Sequence, residues 1–189
     1  MEFVLAVAWL VGVVYASIPP FWLLIHPFAE RWRQAKTDAR AILGFTWLGV
    51  ILLLAAITFP WREVRLYATP YSWLAWLVLA ALAVSIYRRI GSFGFDRVIG
   101  RTELKPDLEQ RLVTTGMHCR VRHPIYLGHL LMLAAWTVGS GLLVLYALWA
   151  MAVVFGVFLI RTEDAELERR FGDEFRDYKR RVPALLPRL

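Results

Sequence analysis

The feature that most constrains this chain is its division into long apolar blocks separated by charged connectors. The blocks fall at 3–25, 41–59, 71–87, 124–138 and 142–160. A helix needs about 20 predominantly apolar residues to cross the hydrocarbon core of a bilayer, and these runs have that length or approach it. The expectation is an all-α integral membrane protein of about five transmembrane helices. The chain is 59% hydrophobic with nine Trp, and its mean hydropathy is +0.51. That is more apolar sequence than a soluble domain of this size carries.

Breakers mark the block ends. Pro60 closes the second block and Pro70 opens the third. Pro19 and Pro20 interrupt the first, where they are expected to kink or split the helix. That block has no basic stretch before it and no small-residue cleavage site after it, so it reads as a retained helix and not as a signal peptide. Gly139-Ser140-Gly141 joins the last two blocks, and so short a link forces an antiparallel hairpin. The resulting division is 1–87, three spans with their connectors, and 88–189, a core made of a polar segment, the 124–160 hairpin and a charged tail.

A formal charge of +7 raises the possibility of a nucleic-acid partner, but the charges sit between apolar runs, where they set topology. With five spans, the connector at 26–40, the segment at 88–123 and the tail share one side and carry twenty of the twenty-two Lys and Arg. Arg62 and Arg65 are alone on the other side. By the positive-inside rule the twenty face the cytoplasm and the N-terminus faces out. The lone Cys119 permits no intramolecular disulfide. In the tail, Leu167, Phe171, Phe175, Tyr178 and Val182 recur at helical spacing. They form the apolar face of an amphipathic helix, with Gly172 as a point of bending. That face is suited to lie on the bilayer or against the 88–123 segment.

Chemistry concentrates where the polar segment meets the fourth block, at Arg120-Val121-Arg122-His123-Pro124-Ile125-Tyr126-Leu127-Gly128. Pro124 suits the first turn of a helix, because its missing N–H would have had no intrahelical partner there. Free N–H groups at a helix start favour binding of polar ligand groups. The hairpin returns the end of the fifth block to the same face, so His123 and Tyr126 should approach Arg161, Glu163, Asp164 and Glu166. The bland alternative is a helix start with interfacial salt bridges, in which Arg120 and Arg122 serve only as topology signals. His118, Cys119, His123 and His129 match no zinc spacing, so no metal is expected. No Gly-rich phosphate loop or dinucleotide-binding motif is evident.

Several motifs in order carry a resemblance: Leu112-Val113-Thr114-Thr115-Gly116, Arg122-His123-Pro124-Ile125-Tyr126-Leu127-Gly128, Arg161-Thr162-Glu163-Asp164, Phe171-Gly172-Asp173-Glu174-Phe175 and Tyr178-Lys179-Arg180-Arg181-Val182-Pro183, with Pro187 behind. The stretch 111–187 resembles the isoprenylcysteine carboxyl methyltransferases, within a wider group that includes phospholipid N-methyltransferases. The resemblance implies a membrane enzyme that binds S-adenosylmethionine, releases S-adenosylhomocysteine, and takes a lipophilic methyl acceptor from the bilayer. Carried over by position, cofactor contacts would be Gln110, Arg111, Leu112, Val113, His118, His123, Pro124, Ile125, Tyr126 and Glu163, with Glu103 further upstream. The substrate-facing arginine maps to Arg161, with Arg169 or Arg170 as alternatives. Arg161 and Glu163 would then be the catalytic pair. His118 and Gln110 stand where the family has Tyr and His, and both can still hydrogen-bond.

Methyl transfer needs the acceptor aligned with an already activated methyl carbon. A carboxylate acceptor is ionised at neutral pH and needs no base, whereas an amine must lose a proton. Three functions follow: carboxyl O-methylation of a lipophilic acid, N-methylation of a lipid headgroup, and a non-catalytic membrane component. A single chain can enclose such a site, so oligomeric state is open.

Overall fold

The computed structural model describes residues 2–28, 31, 40–90 and 111–186. The apolar blocks form helices α1 (Glu2–Ile25), α2 (Arg40–Thr58), α3 (Tyr71–Ile90), α4 (Pro124–Ser140) and α5 (Leu143–Phe171), and the tail adds α6 (Asp173–Arg181). Among the described residues, four helices are long and apolar enough to cross a membrane: Glu2–Phe28, Leu43–Trp61, Tyr71–Ile90 and Leu143–Phe171. The expected fourth span, α4, has 17 residues. At 1.5 Å per residue it is about 25 Å long, the lower end of what a crossing requires. α1 is one unbroken helix through Pro19 and Pro20 and is not split there.

α1 is the organising element, packing against α2, α4 and α5, while α3 lies along α4. Its contact face carries Ala8, Gly12 and Ala16, small residues that permit close helix approach. Two indoles fasten α2 to α1. Trp9 Nε1 donates to Thr58 Oγ1 at 3.0 Å and Trp47 Nε1 to Ser17 Oγ at 2.9 Å. The outward faces remain apolar, with Phe45, Leu52 and Ile57 of α2 and Leu74 and Val78 of α3 exposed. A surface of that kind suits lipid, not water.

The hairpin end shows how a short turn satisfies its backbone. The last carbonyls of a helix have no intrahelical donor. Here the α2–α3 connection and the first turn of α3 supply donors: Tyr67 Oη to Val138 O at 2.7 Å, Ser72 Oγ to Gly139 O at 2.8 Å, and Arg65 Nε to Ser140 O at 3.1 Å. Gly141 adopts φ +67°, and a Cβ there would lie 2.6 Å from Tyr67 O. Only glycine meets both demands.

Candidate functional site

The opposite end of the hairpin carries the charges. α5 does not stop at Ile160. Its 29 residues span about 43 Å, against a hydrocarbon core of about 30 Å, so the charged stretch from Arg161 to Phe171 projects beyond the apolar part. Gly172, at φ +56°, ends α5 and turns the chain into α6. The tail's apolar face then closes over the segment ahead of α4. Phe175, Tyr178 and Val182 are buried with Leu112, Leu167 and Phe171, and Tyr178 Oη donates to His118 O at 2.7 Å. Of the two resting places open to the tail helix, this is the one against the polar segment. The chain beyond α6 straps the start of α4, with Arg122 N–H donating to Pro183 O at 2.8 Å and His123 N–H to Ala184 O at 3.0 Å.

α4 begins at Pro124, as its fixed φ favours. The residue just ahead, His123, is 4% exposed and lies between two acids. His123 Nε2 donates to Asp164 Oδ1 at 2.9 Å, and Nδ1 stands 3.2 Å from Glu163 Oε2. Asp164 also accepts from Arg122 Nη2 at 2.8 Å and has Lys179 Nζ at 3.6 Å. Arg122 Nη1 in turn donates to the carbonyls of Lys179 and Val182. One guanidinium therefore links the α4 start, the projecting end of α5 and the tail. A planar fork of donors can serve three partners at once where a lysine could not.

The electrostatics follow from burial and pairing. Burial alone would lower the pKa of His123, but the Glu163 charge, hydrogen bonds to both acids and the Asp164 charge outweigh it and raise it to about 9. Burial would raise Asp164, yet its bonds to His123 and Arg122 hold it at about 2. Glu163 is likewise pushed up by burial and pulled below its ordinary value by His123, by His26 and by a hydrogen bond from Tyr126. The state at neutral pH is an imidazolium between two carboxylates. Tyr126 stacks on the His123 ring, with centroids 5.6 Å apart and planes 18° off parallel. Glu163 Oε2 is buried and has no aligned hydrogen-bond partner among the described residues, although it lies close to the imidazole.

His123, Tyr126, Glu163 and Asp164 thus come together, as the hairpin geometry predicts. Glu166 turns instead to the short turn just past α1, where His26 Nδ1 lies 3.1 Å from its Oε2. Arg170 lies 3.7 Å from Glu166 and covers the Phe171 ring. Arg161 and Arg169 are exposed, and neither makes an ion pair to a described residue. Pro124 is buried, Leu112, Val113, His118 and Ile125 are half-buried, and Arg111 is exposed. Gln110 and Glu103 lie outside the described residues. Arg122 and His26 were missed from sequence as parts of this network. Arg122 adjoins His123 and the acid pair across the hairpin, a signal that was available. His26 sits 140 residues from Glu166, and no local pattern announces such a contact.

Beneath this cluster, between α1, α4 and α5, runs a narrow crevice lined by Tyr15, Pro19, Tyr126, His129, Leu130, Leu133, Ala152, Gly156 and Ile160. Gly128 keeps α3 against this part of α4, since a Cβ there would lie 2.7 Å from the Tyr87 ring.

Fold and site together define a multi-pass membrane protein whose buried ionic centre lies at the end of a helical hairpin, above an apolar crevice. The chain belongs to the phospholipid methyltransferase family, which it matches over residues 68–174. The match takes in α3, α4, α5 and the site. Among curated proteins it is similar to methanethiol S-methyltransferase 1 of Bradyrhizobium diazoefficiens, 33% identical over 117 residues, or 61% of this chain and 40% of that protein. It is similar also to protein-S-isoprenylcysteine O-methyltransferase of Rattus norvegicus, 31% identical over 131 residues, or 60% of this chain and 42% of that protein. The nickel-cobalt-cadmium resistance protein NccN of Alcaligenes xylosoxydans is 43% identical over 81 residues, or 41% of this chain and 37% of that protein. The matches thus span about two fifths of the length of these relatives. No solved structure matches.

Proposed function

We propose that this protein is an S-adenosylmethionine-dependent methyltransferase that acts on a lipophilic acceptor arriving from the bilayer. The observation that carries this reading is Glu163, a buried carboxylate beside the His123 imidazole and held below its ordinary pKa, at the junction of a charged helix end and an apolar crevice. A carboxylate kept charged at that junction favours a cationic, hydrogen-bonding ligand. That donor chemistry fits S-adenosylmethionine, which when bound supplies a methyl group activated by its sulfonium.

The protein's part is binding and alignment. Glu163 faces the cationic groups of the donor. His123 and Arg122 hold the acid pair in place, so that Glu163 keeps its charge and position. Arg111, Leu112, Val113, His118, Pro124, Ile125 and Tyr126 form the rest of the donor site, with Gln110 and Glu103 completing it from the segment ahead. The core of the enzyme is 88–189. The twenty-to-two charge split supports a cytoplasmic site and an N-terminus on the other side.

The acceptor implied by the motif resemblance is the carboxylate of a prenylcysteine-like acid, held by Arg161, Arg169 or Arg170 and needing no base. The name of the rat relative supports that choice, and the name of the Bradyrhizobium relative supports a thiol. A lipid amine is the further alternative. The deciding experiment supplies labelled S-adenosylmethionine to the purified protein with a prenylcysteine analogue, octanethiol or phosphatidylethanolamine. Label in at least one extractable product supports the reading. No transfer to any of the three overturns it.

A further inference from the structure

Glu163 does not stand alone on its side of α5. Glu166 follows three residues later, so the two carboxylates share a face, one turn apart. Two buried like charges so close favour proton uptake by one of them. His26, in the short turn just past α1, lies against the second carboxylate. Its Nδ1 is 3.1 Å from Glu166 Oε2, and the two residues are 7% and 8% exposed. Trp22, one turn earlier, holds its ring centroid 5.5 Å from that of the imidazole. Arg170 approaches the other oxygen of Glu166, but at 3.7 Å and from a side chain that is 22% exposed.

Each glutamate thus has a histidine from a different part of the chain, His123 from the start of α4 for Glu163 and His26 for Glu166. The neighbouring Asp164 is paired elsewhere, with Arg122 at 2.8 Å and Lys179 of α6 at 3.6 Å. Tyr126 of α4 hydrogen-bonds to Glu163, and the His26 charge adds to that of His123 in pulling Glu163 below its ordinary value. Below them, Tyr15 of α1 and His129 of α4 line the crevice. His26 also lies ahead of residues 68–174, the stretch that matches the family. We propose that His26 is a positioning residue of the donor site, neutralising Glu166 so that Glu163 remains a carboxylate facing the methyl donor, a role that rests on the methyl-transfer reading above. A pair that only fastened the end of α1 to α5 would add stability and leave the ionisation of Glu163 where it is.

The test uses the full chain in detergent with its glutamate carboxyl carbons labelled, and follows Glu163 by NMR as the pH is lowered, its signal assigned by loss in Glu163→Gln. His26→Asn keeps a hydrogen-bond donor beside Glu166 and removes the charge. Glu163 should then take its proton about one pH unit higher than in the wild type. Glu166→Gln removes the like charge instead and should move the same event lower. In S-adenosylmethionine titrations, affinity should fall on acidification at a correspondingly higher pH in His26→Asn. An unmoved Glu163 in His26→Asn, movement in the same direction in both variants, or donor affinity that falls at the same pH in all three proteins overturns the proposal. Should His26→Asn not fold, Glu166→Gln carries the test, and an unmoved Glu163 there overturns it. A wild type that binds no S-adenosylmethionine sinks methyl transfer itself, and the carboxyl titration, made without donor, still decides whether His26 governs Glu163.

Discussion

The charge on His123 should be visible as a pH dependence of stability. Burial pushes its pKa down, but the Glu163 and Asp164 carboxylates outweigh that and raise it from 6.5 to about 9. A raised pKa means that the folded state binds the proton more tightly than the unfolded state does. The contribution is therefore full below the unfolded value and is lost as pH rises through about 9. At about 1.4 kcal/mol per pH unit, the rise amounts to roughly 3 kcal/mol. The assay is reversible unfolding in mixed detergent, followed by far-ultraviolet circular dichroism at a series of pH values between about 6 and 10. The wild type should lose stability steadily through that window. His123→Gln should start lower and show a profile flatter by roughly 3 kcal/mol, because the titrating group is gone. Equal slopes in the two proteins would refute the claim that His123 is held as an imidazolium between two acids.

Replacing Arg122 with Met leaves Asp164 without its closest guanidinium partner and frees the carbonyls of Lys179 and Val182. The expected cost is about 3–5 kcal/mol, read as a lower unfolding midpoint together with faster trypsin cleavage after Lys179, Arg180 or Arg181. At the other end of the hairpin, Gly141→Ala puts a Cβ against Tyr67 O in a left-handed conformation. It should lower stability by about 1–3 kcal/mol and leave S-adenosylmethionine affinity unchanged, since it lies a full helix length from Glu163.

Where the sequence pattern was local, it read true. The apolar blocks became helices, Gly139-Ser140-Gly141 became the hairpin turn, and Gly172 became the bend before α6. The approach of His123 and Tyr126 to Glu163 and Asp164 followed from antiparallel geometry alone. What was not legible needed angles or distant contacts. Arg161 and Glu163 are two residues apart, about 200° around a helix, and Arg161 is exposed. The continuation of α5 to Phe171 was hidden by the change from apolar to charged composition at Arg161, although no Gly or Pro stands between Arg161 and Gly172. Composition marks where lipid ends, not where a helix ends. Arg122 was read as one topology charge among twenty because its partners come from two other elements. The pairing of His26 with Glu166 and the enclosure of His129 by Tyr15 and Tyr87 join helices with no local signal for either contact.

The central claim is that Glu163 receives a cationic methyl donor, and isothermal titration of S-adenosylmethionine into the purified protein tests it most directly. Wild type should bind, and Glu163→Gln, which keeps the shape and removes the charge, should bind about ten- to a hundredfold more weakly, the worth of one charge-assisted hydrogen bond. Wild-type affinity in Glu163→Gln would contradict it.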